Sequence, residues 1–237
     1  KGEHDGIVLT ASKETYRDTS MIFLSSIDVK PKGYDDPDKE KGTFMSNMLD
    51  NLKIGRWLTS SKQRIQNINI PNFLANMPVQ ASLTPGLSSQ GSMSGSVVNK
   101  FSLNLVGGYT AGVNGLEMAG VFNLNKADVR YVQVAGVLNI VGGNTEGVQM
   151  AGVFNMVGKN ANGAQLSAVY NHVKGNLDGI QLSTINYVEG LAEGLQLSAV
   201  SNTVIGNLRG FQMTGLINVV RKKSNGMQLS AVGNIAL

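Results

Sequence analysis

The feature that constrains this chain most is a repeat of 16 residues in its second half. One position of the repeat carries glutamine and a later one carries asparagine, and the only irregular spacing between glutamine positions is the 15 residues from Gln181 to Gln196. The glutamine position holds Glu117, Gln133, Gln149, Gln165, Gln181, Gln196, Gln212 and Gln228, and the asparagine position holds Asn123, Asn139, Asn155, Asn171, Asn186, Asn202, Asn218 and Asn234. Eight units in register predict a stack of identical supersecondary units.

Within each unit, glycine and apolar residues keep fixed places around the glutamine. A glycine stands two residues before it in every unit except the one with Tyr131, which predicts a corner with positive φ. The residues on either side, such as Val148 and Met150, are apolar. With a two-residue period, we expect them to point inward and the glutamine outward. The predicted exposed ladder is Gln149, Gln165, Gln181, Gln196, Gln212 and Gln228.

Two architectures fit such a pattern. In a β-solenoid each unit is one coil, and like residues stack about 4.8 Å apart, where side-chain amides can hydrogen-bond along the stack. An antiparallel meander or transmembrane β-barrel would reverse alternate strands, and Val148 to Met156 offers an apolar face long enough to span a bilayer. The nearly equal linking segments favour the solenoid. The 15-residue spacing also favours the solenoid. A corner can absorb one missing residue, whereas in a continuous strand the deletion would move every later side chain to the opposite face.

The distribution of proline divides the chain. All five prolines lie at or before Pro85, and a sheet that needs every backbone N–H excludes this residue. The predicted divisions are strands around a polar turn over residues 1–27, a linker over 28–43, a helix and connecting segment over 44–96, and the repeats over 97–237. Phe44, Leu52 and Trp57 have near-helical spacing. The predicted fold is all-β, a β-solenoid of about eight 16-residue coils preceded by a short β remnant and one amphipathic helix.

The sequence offers little material for catalysis. It has no cysteine, and its two histidines are His4 and His172, of which His172 is interpreted as a tolerated strand substitution. Carboxylates are sparse in the repeats, and no metal-ligand spacing or phosphate-binding loop occurs. We therefore expect no catalytic, cofactor-binding or metal-binding residues, no cofactor and no enzymatic activity. The net charge of +4 forms no basic patch, so nucleic acid is not an expected partner.

Two rows around the asparagine raise different expectations. The asparagines themselves predict a structural ladder that satisfies backbone groups, with a ligand-binding row as the alternative. The apolar row just before them is the candidate partner stripe, which consists of Phe122, Leu138, Phe154 and Tyr170. An exposed apolar stripe usually marks a contact with protein or lipid. Coverage by the predicted helix around Trp57 is the alternative.

Two phrases of the sequence resemble a known family. The phrase NKFSLNLVGGYTAGVNG (residues 99–115) and the GVQ-AGV-N repeat resemble the surface-repeat proteins of the Bacteroidota outer membrane. In those proteins a carboxypeptidase-regulatory-like β-sandwich precedes the repeats, and GIVLTASKETYRDT is similar to its last strands. The resemblance implies the outer membrane or cell surface, membrane association of the full-length protein, and other outer-membrane or surface proteins as partners. It implies no catalytic residues.

The expected function is a non-catalytic surface module of the cell envelope, acting as a scaffold or a partner-binding surface. One alternative is a part of an outer-membrane β-barrel with a pore or transport role. Another is a glycan-binding face that combines the glutamine ladder with the hydroxyl-bearing residues Ser167, Ser183, Ser198, Thr214 and Ser230.

Overall fold

The structure, a computed structural model, describes residues 7–13, 16–22 and 75–237. The chain divides into two compact units, Lys1–Glu40 and Lys41–Leu237. In the first unit, β1 (Ile7–Lys13) and β2 (Tyr16–Ile22) form an antiparallel pair, as predicted for the strands around the polar turn. The predicted linker over 28–43 and the predicted helix with Phe44 and Trp57 lie outside the described residues.

The described part of the second unit is a β-solenoid of about nine coils. In chain order its elements are β3 (Ala75–Thr84), β4 (Leu87–Ser88), the 3-10 helix η1 (Gly91–Ser96), β5 (Val97–Asn104), β6 (Gly107–Thr110), β7 (Gly112–Ala119), β8 (Phe122–Asn125), β9 (Val129–Ala135), β10 (Leu138–Val141), β11 (Thr145–Ala151), β12 (Phe154–Val157), β13 (Ala161–Ser167), β14 (Tyr170–Val173), β15 (Leu177–Val188), β16 (Ala192–Val204), β17 (Leu208–Thr214), β18 (Ile217–Val220), β19 (Met227–Ser230) and β20 (Gly233–Ala236).

These strands form two stacks that we name the long sheet and the short sheet. The long sheet contains β3, β5, β7, β9, β11, β13, the first parts of β15 and β16, β17 and β19, and the short sheet contains β6, β8, β10, β12, β14, the second parts of β15 and β16, β18 and β20. Neighbouring rungs are parallel and in register, so Gln149 pairs with Gln133 and Gln165. The solenoid prediction is confirmed.

The same pairing contradicts the antiparallel alternative for the repeats. All neighbouring rungs of the two sheets run parallel, and the one antiparallel pair in this region joins β3 to the short β4. The stretch from Val148 to Met156 is also not one strand, because β11 ends at Ala151 and β12 begins at Phe154. A meander built from such strands is therefore the wrong interpretation of these residues.

The solenoid begins earlier than predicted. β3 pairs in parallel with β5, so the long sheet starts at Ala75 and not at residue 97. Pro78 lies within β3, contrary to the expectation that proline is excluded from the sheet. Among the described residues, β5 is the one strand that pairs with β3 beside Pro78, since β4 pairs with β3 only at Ser82 and Thr84. A strand paired on one side tolerates a residue without an N–H. Among the described residues, no helix is long and apolar enough to cross a membrane.

The glutamine column lies inside the coil, so the predicted exposed ladder is wrong. The side chains of Gln149, Gln165, Gln181, Gln196 and Gln212 are fully buried, and only Gln228 on the last rung is partly exposed. Each glutamine Nε2 donates to the Oε1 of the glutamine one coil earlier, as in the 2.8 Å bond from Gln165 to Gln149. Because each side-chain amide is hydrogen-bonded to an identical amide one rung away, the column can be buried without unpaired polar groups. The apolar residues on either side of each glutamine therefore face outward.

The asparagine column is a second buried ladder, which confirms its predicted structural role. Asn139 Nδ2 donates to Asn155 Oδ1 at 2.9 Å, toward the following coil, so this ladder runs opposite to the glutamine ladder. The same Nδ2 donates to the backbone oxygen of Met150 in the long sheet at 2.8 Å. This second bond fixes the orientation of the amide and ties the short sheet to the long sheet across the interior.

Two adjacent apolar columns lie beside the amide ladders in the interior. Their buried members are Val157, Ala161, Val173, Leu177, Val188, Ala192, Val204, Leu208 and Val220. The valines end the short-sheet strands, and the alanines and leucines begin the long-sheet strands, so these columns close the coil on the side away from Gly152. The core is therefore a set of stacked columns, each with one side chain from each coil.

In the five coils from Gly147 to Gly210, the glycine before the glutamine has the predicted positive φ but lies within a strand, not at a corner, whereas Gly226 has no positive φ. Gly163 has φ +123° in the middle of β13. A Cβ atom there would lie 2.1 Å from the backbone oxygen of Gly147 on the preceding coil. Glycine thus permits both the unusual backbone and the close stacking. A corner of the coil lies instead at the small pair Ala151 and Gly152, where β11 ends.

The 15-residue spacing is absorbed at this corner, as predicted. The pairing of β15 with β16 shifts between Ser183 and Ile185, where Ser183 pairs with Ser198 but Ile185 pairs with Ser201. Beyond the shift, Asn186 again pairs with Asn202. The asparagine ladder therefore continues without interruption.

Replacing one ladder glutamine tests how much the column contributes. Gln165→Leu preserves the side-chain size but leaves Gln181 Nε2 and Gln149 Oε1 without their partners in the interior. Two buried unpaired groups are expected to lower the free energy of unfolding by about 2–5 kcal/mol in urea denaturation. The control Leu166→Gln changes a half-buried, outward side chain and is expected to cost about 1 kcal/mol or less. Equal losses in the two variants would contradict the ladder's role.

Candidate interaction surface

The predicted partner stripe lies on the outward side of the short sheet but is not a free surface. Phe122 is only 6% exposed, and Leu138, Phe154 and Tyr170 are half-buried. Leu138 and Phe154 pack against a buried cluster made of Tyr109, Phe122, Leu124, Ile140 and Met156. The expectation of an exposed stripe here is therefore wrong. The alternative, a cover formed by the helix around Trp57, lies outside the described residues.

The stripe continues into a row of ring contacts. Phe154 stacks on Tyr170 with ring centroids 6.1 Å apart, and His172 meets Tyr187 edge-on at 5.1 Å. His172 Nε2 lies 2.9 Å from Glu189 Oε1. Burial lowers the pKa of His172, although the hydrogen bond with Glu189 opposes this effect. His172 is thus one member of a packed row, which agrees with its interpretation as a tolerated strand substitution.

The exposed apolar surface lies on the other side of the coil. The residues directly before and after the glutamine column point outward from the long sheet, and on ten successive rungs both are apolar. We name this surface the long-sheet face. Its pairs are Val79 and Ala81, Phe101 and Leu103, Leu116 and Met118, Val132 and Val134, Val148 and Met150, Ala164 and Leu166, Ile180 and Leu182, Leu195 and Leu197, Phe211 and Met213, and Met227 and Leu229.

The long-sheet face is large for a surface left to water. Met150 is 38% exposed, Leu182 is 45% and Met213 is 47%. Ten rungs spaced about 4.8 Å apart span about 43 Å, and two rows of side chains cover about 14 Å across the strands, which gives about 600 Å². Exposed corner residues such as Val153 and Val169 widen the apolar area further. A contiguous patch of this size usually marks an interaction site.

A row of charged residues borders the face where the long-sheet strands begin. Its members are Arg130, Glu146, Asp178, Glu193 and Arg209. Arg130 Nε lies 3.2 Å from Glu146 Oε2, and Arg209 Nη1 lies 3.3 Å from Glu193 Oε1. Both pairs are exposed, so they add little to stability. They give the border both signs of charge.

Tyr131 interrupts the glycine row beside the face. It occupies the position held by Gly147 on the next coil, and it is the one described residue other than glycine with a positive φ, +76°. Its side chain is 65% exposed and lies next to Val132 of the face. A left-handed backbone is strained for tyrosine, so the surrounding register imposes this conformation.

Glu117 is the acceptor that ends the glutamine ladder. It is fully buried and receives hydrogen bonds from Gln133 Nε2 at 2.8 Å, Asn125 Nδ2 at 2.9 Å and Asn104 Nδ2 at 3.3 Å. Since each glutamine donates toward the preceding coil, the first rung needs only to accept, and a carboxyl group can accept several bonds. Burial raises the pKa of Glu117 to about 7, although these hydrogen bonds oppose the rise.

The predicted glycan face does not form. Its glutamines are buried apart from Gln228 on the last rung, and Ser183 and Thr214 are buried too. Ser198 Oγ donates to Thr214 Oγ1 at 2.9 Å, and Ser167 Oγ is buried. The described residues also contain no group of three or more histidine, aspartate or glutamate side chains that could hold a metal ion.

Comparison with family models, curated proteins and solved structures finds no match to this chain. The surface must therefore be interpreted from its own chemistry. The sequence did contain a signal for the long-sheet face, because glutamine repeats in register in seven of the eight units. Stacked glutamines can hydrogen-bond to one another inside the coil, as Gln149 does to Gln133. The apolar residues on either side of the glutamine then face outward.

The buried carboxyl group predicts a pH-dependent stability. The pKa of Glu117 is about 7 in the folded chain, against an ordinary value of 4.5, so the folded state holds the proton more tightly. The associated stability is fully present below about pH 4.5 and is lost as the pH rises through about 7, by about 3 kcal/mol in total. Urea denaturation at about pH 5 and about pH 8 measures this difference.

Two variants separate Glu117 from other groups. Glu117→Gln remains neutral and is expected to remove most of the difference between the two pH values, with its largest gain in stability at the higher pH. Glu146→Gln changes an exposed carboxylate and is expected to keep the wild-type pH dependence. An unchanged slope in Glu117→Gln would show that another group is responsible.

Proposed function

We propose that this chain is a non-catalytic structural module of the cell envelope whose long-sheet face is a protein-docking surface. The observation that carries the proposal is the outward-facing apolar pair on each of ten rungs, of which seven have at least one exposed member. Surface that remains apolar over such a length is unfavourable in water, and a docked protein removes it from solvent. The coil beneath it supplies a rigid support.

The interior supports a structural role. The two amide columns bond to themselves from coil to coil, so their polar groups are already occupied. Glu117, the buried carboxyl group of the described region, is surrounded by side chains that donate to it. Catalytic groups normally lie where a substrate can reach them, and these do not.

The envelope location is supported by the resemblance of residues 99–115 to the Bacteroidota surface-repeat proteins. A surface module needs a stable frame that presents side chains at fixed spacing, and stacked coils provide this. Other outer-membrane or surface proteins are the expected partners of the face.

A charge placed on the face tests the docking role. The double variant Met150→Lys with Leu182→Lys adds two cations to exposed positions of the long-sheet face. We expect chemical cross-linking in envelope extract to join the wild-type chain to a defined protein and the double variant to lose that product, because a buried unpaired charge opposes binding. Mass spectrometry of the cross-linked peptides locates the contact.

The control is Thr203→Lys, on the outward side of the short sheet. It adds a charge to the same solenoid away from the face and is expected to retain the cross-linked product. Urea denaturation of all variants checks that the fold is intact. Products that map elsewhere, or that persist in the double variant, would contradict docking through this face.

A further inference from the structure

Tyr131 indicates what kind of partner the long-sheet face accepts. Gly115 and Gly147 occupy its position on the neighbouring coils, yet this rung carries a large side chain in a left-handed conformation. Glycine would fit without strain, so the tyrosine contributes nothing to the coil that explains it. A rigid, exposed aromatic side chain beside an apolar surface is typical of an interface anchor.

The glycine row offers a place for such an anchor. Gly147, Gly163 and Gly179 are half-exposed beside the face, and they carry no side chain. They form a row of half-exposed backbone that runs along the rungs next to Val148, Ala164 and Ile180. The chain therefore carries both an exposed aromatic ring and a row without side chains beside the same apolar surface.

The spacing of the face also restricts the partner. Its side chains repeat about every 4.8 Å along the axis and about every 6.8 Å along each strand. Two sheets pack face to face about 10 Å apart when their side chains interdigitate. Over a long contact this requires that the side chains of the two sheets repeat at the same distances. A second copy of the long sheet has the same side-chain spacing. The flexible side chains of Met118, Met150 and Met213 can fill the gaps that remain.

The charges favour a second copy over a lipid surface. The face carries no charge, and its border has two arginines against three carboxylates, Glu146, Asp178 and Glu193. The exposed Lys100, directly before Phe101, adds a third cation, so the two signs are balanced. Interfacial binding to anionic lipid relies on basic residues at such a border. A border of mixed sign neither attracts that surface nor repels an identical chain.

The area is sufficient for a stable pair. About 600 Å² on each copy gives about 1,200 Å² in total, which lies at the lower limit of standard protein interfaces. Corner residues such as Val153, which is exposed, add to this value.

We propose that the long-sheet face binds a second copy of this chain, sheet against sheet, with Tyr131 of each copy packed on the glycine row of the other. The proposal rests on the docking role proposed above and names its partner. It makes the pair isologous, so that one substitution alters both halves of the contact.

Sedimentation velocity over a range of protein concentrations tests the proposal on the full chain. We expect the wild-type chain to form a dimer, Leu182→Lys to be monomeric, and Thr203→Lys to behave as the wild type. Tyr131→Gly restores the glycine of the other coils and is expected to weaken the dimer by about tenfold or more. Because it also relieves backbone strain, its denaturation midpoint should not fall, which excludes unfolding as the cause of a weaker dimer.

Four results would overturn the second copy as the partner. A dimer that persists in both Leu182→Lys and Tyr131→Gly uses another surface. A monomer that binds phosphatidylcholine or phosphatidylglycerol vesicles through Leu182 has a lipid partner. A monomer whose face cross-links to a different envelope protein, and loses it in Met150→Lys with Leu182→Lys, leaves the docking role intact. A monomer with neither kind of binding contradicts both proposals.

Discussion

The structure depends on the hydrogen bond between like amides on successive coils. The rung spacing of about 4.8 Å brings one glutamine side chain within reach of the next, and the bond from Gln165 to Gln149 is 2.8 Å long. This bond lets a polar column occupy the interior without unsatisfied groups. Once the column lies inside, the alternation of the strand places its apolar neighbours, such as Val148 and Met150, on the surface. The long-sheet face is therefore a direct consequence of the ladder.

Much of the fold was predictable from the sequence because the repeat specifies register. The coil, the parallel stacking, the positive φ at Gly163 and the corner that absorbs the 15-residue spacing all follow from where residues recur. Alternation alone defines two faces of a strand but does not say which is inside. Hydrophobicity usually decides this, and here it gave the wrong answer because the cost of burying an amide disappears when an identical amide lies one coil away.

The candidate site was predictable only in part for the same reason. The partner stripe with Phe122 and Phe154 was chosen because its residues are apolar, yet these side chains pack into a cluster. Tyr131 was recognised as an exception in the glycine row, but its strain and exposure depend on the backbone, which no spacing reveals. Glu117 was aligned with the glutamines, and its function as the ladder's terminal acceptor required the direction of each hydrogen bond.

The opposite directions of the two ladders bear on how long such a coil can grow. In the glutamine column every donated bond points toward the preceding coil, as from Gln181 to Gln165, whereas in the asparagine column it points toward the following one, as from Asn155 to Asn171. Two parallel columns would add their dipoles with every coil, as peptide dipoles add along an α-helix. Opposed columns offset each other, so the two amide ladders together do not build up a dipole that grows with coil number.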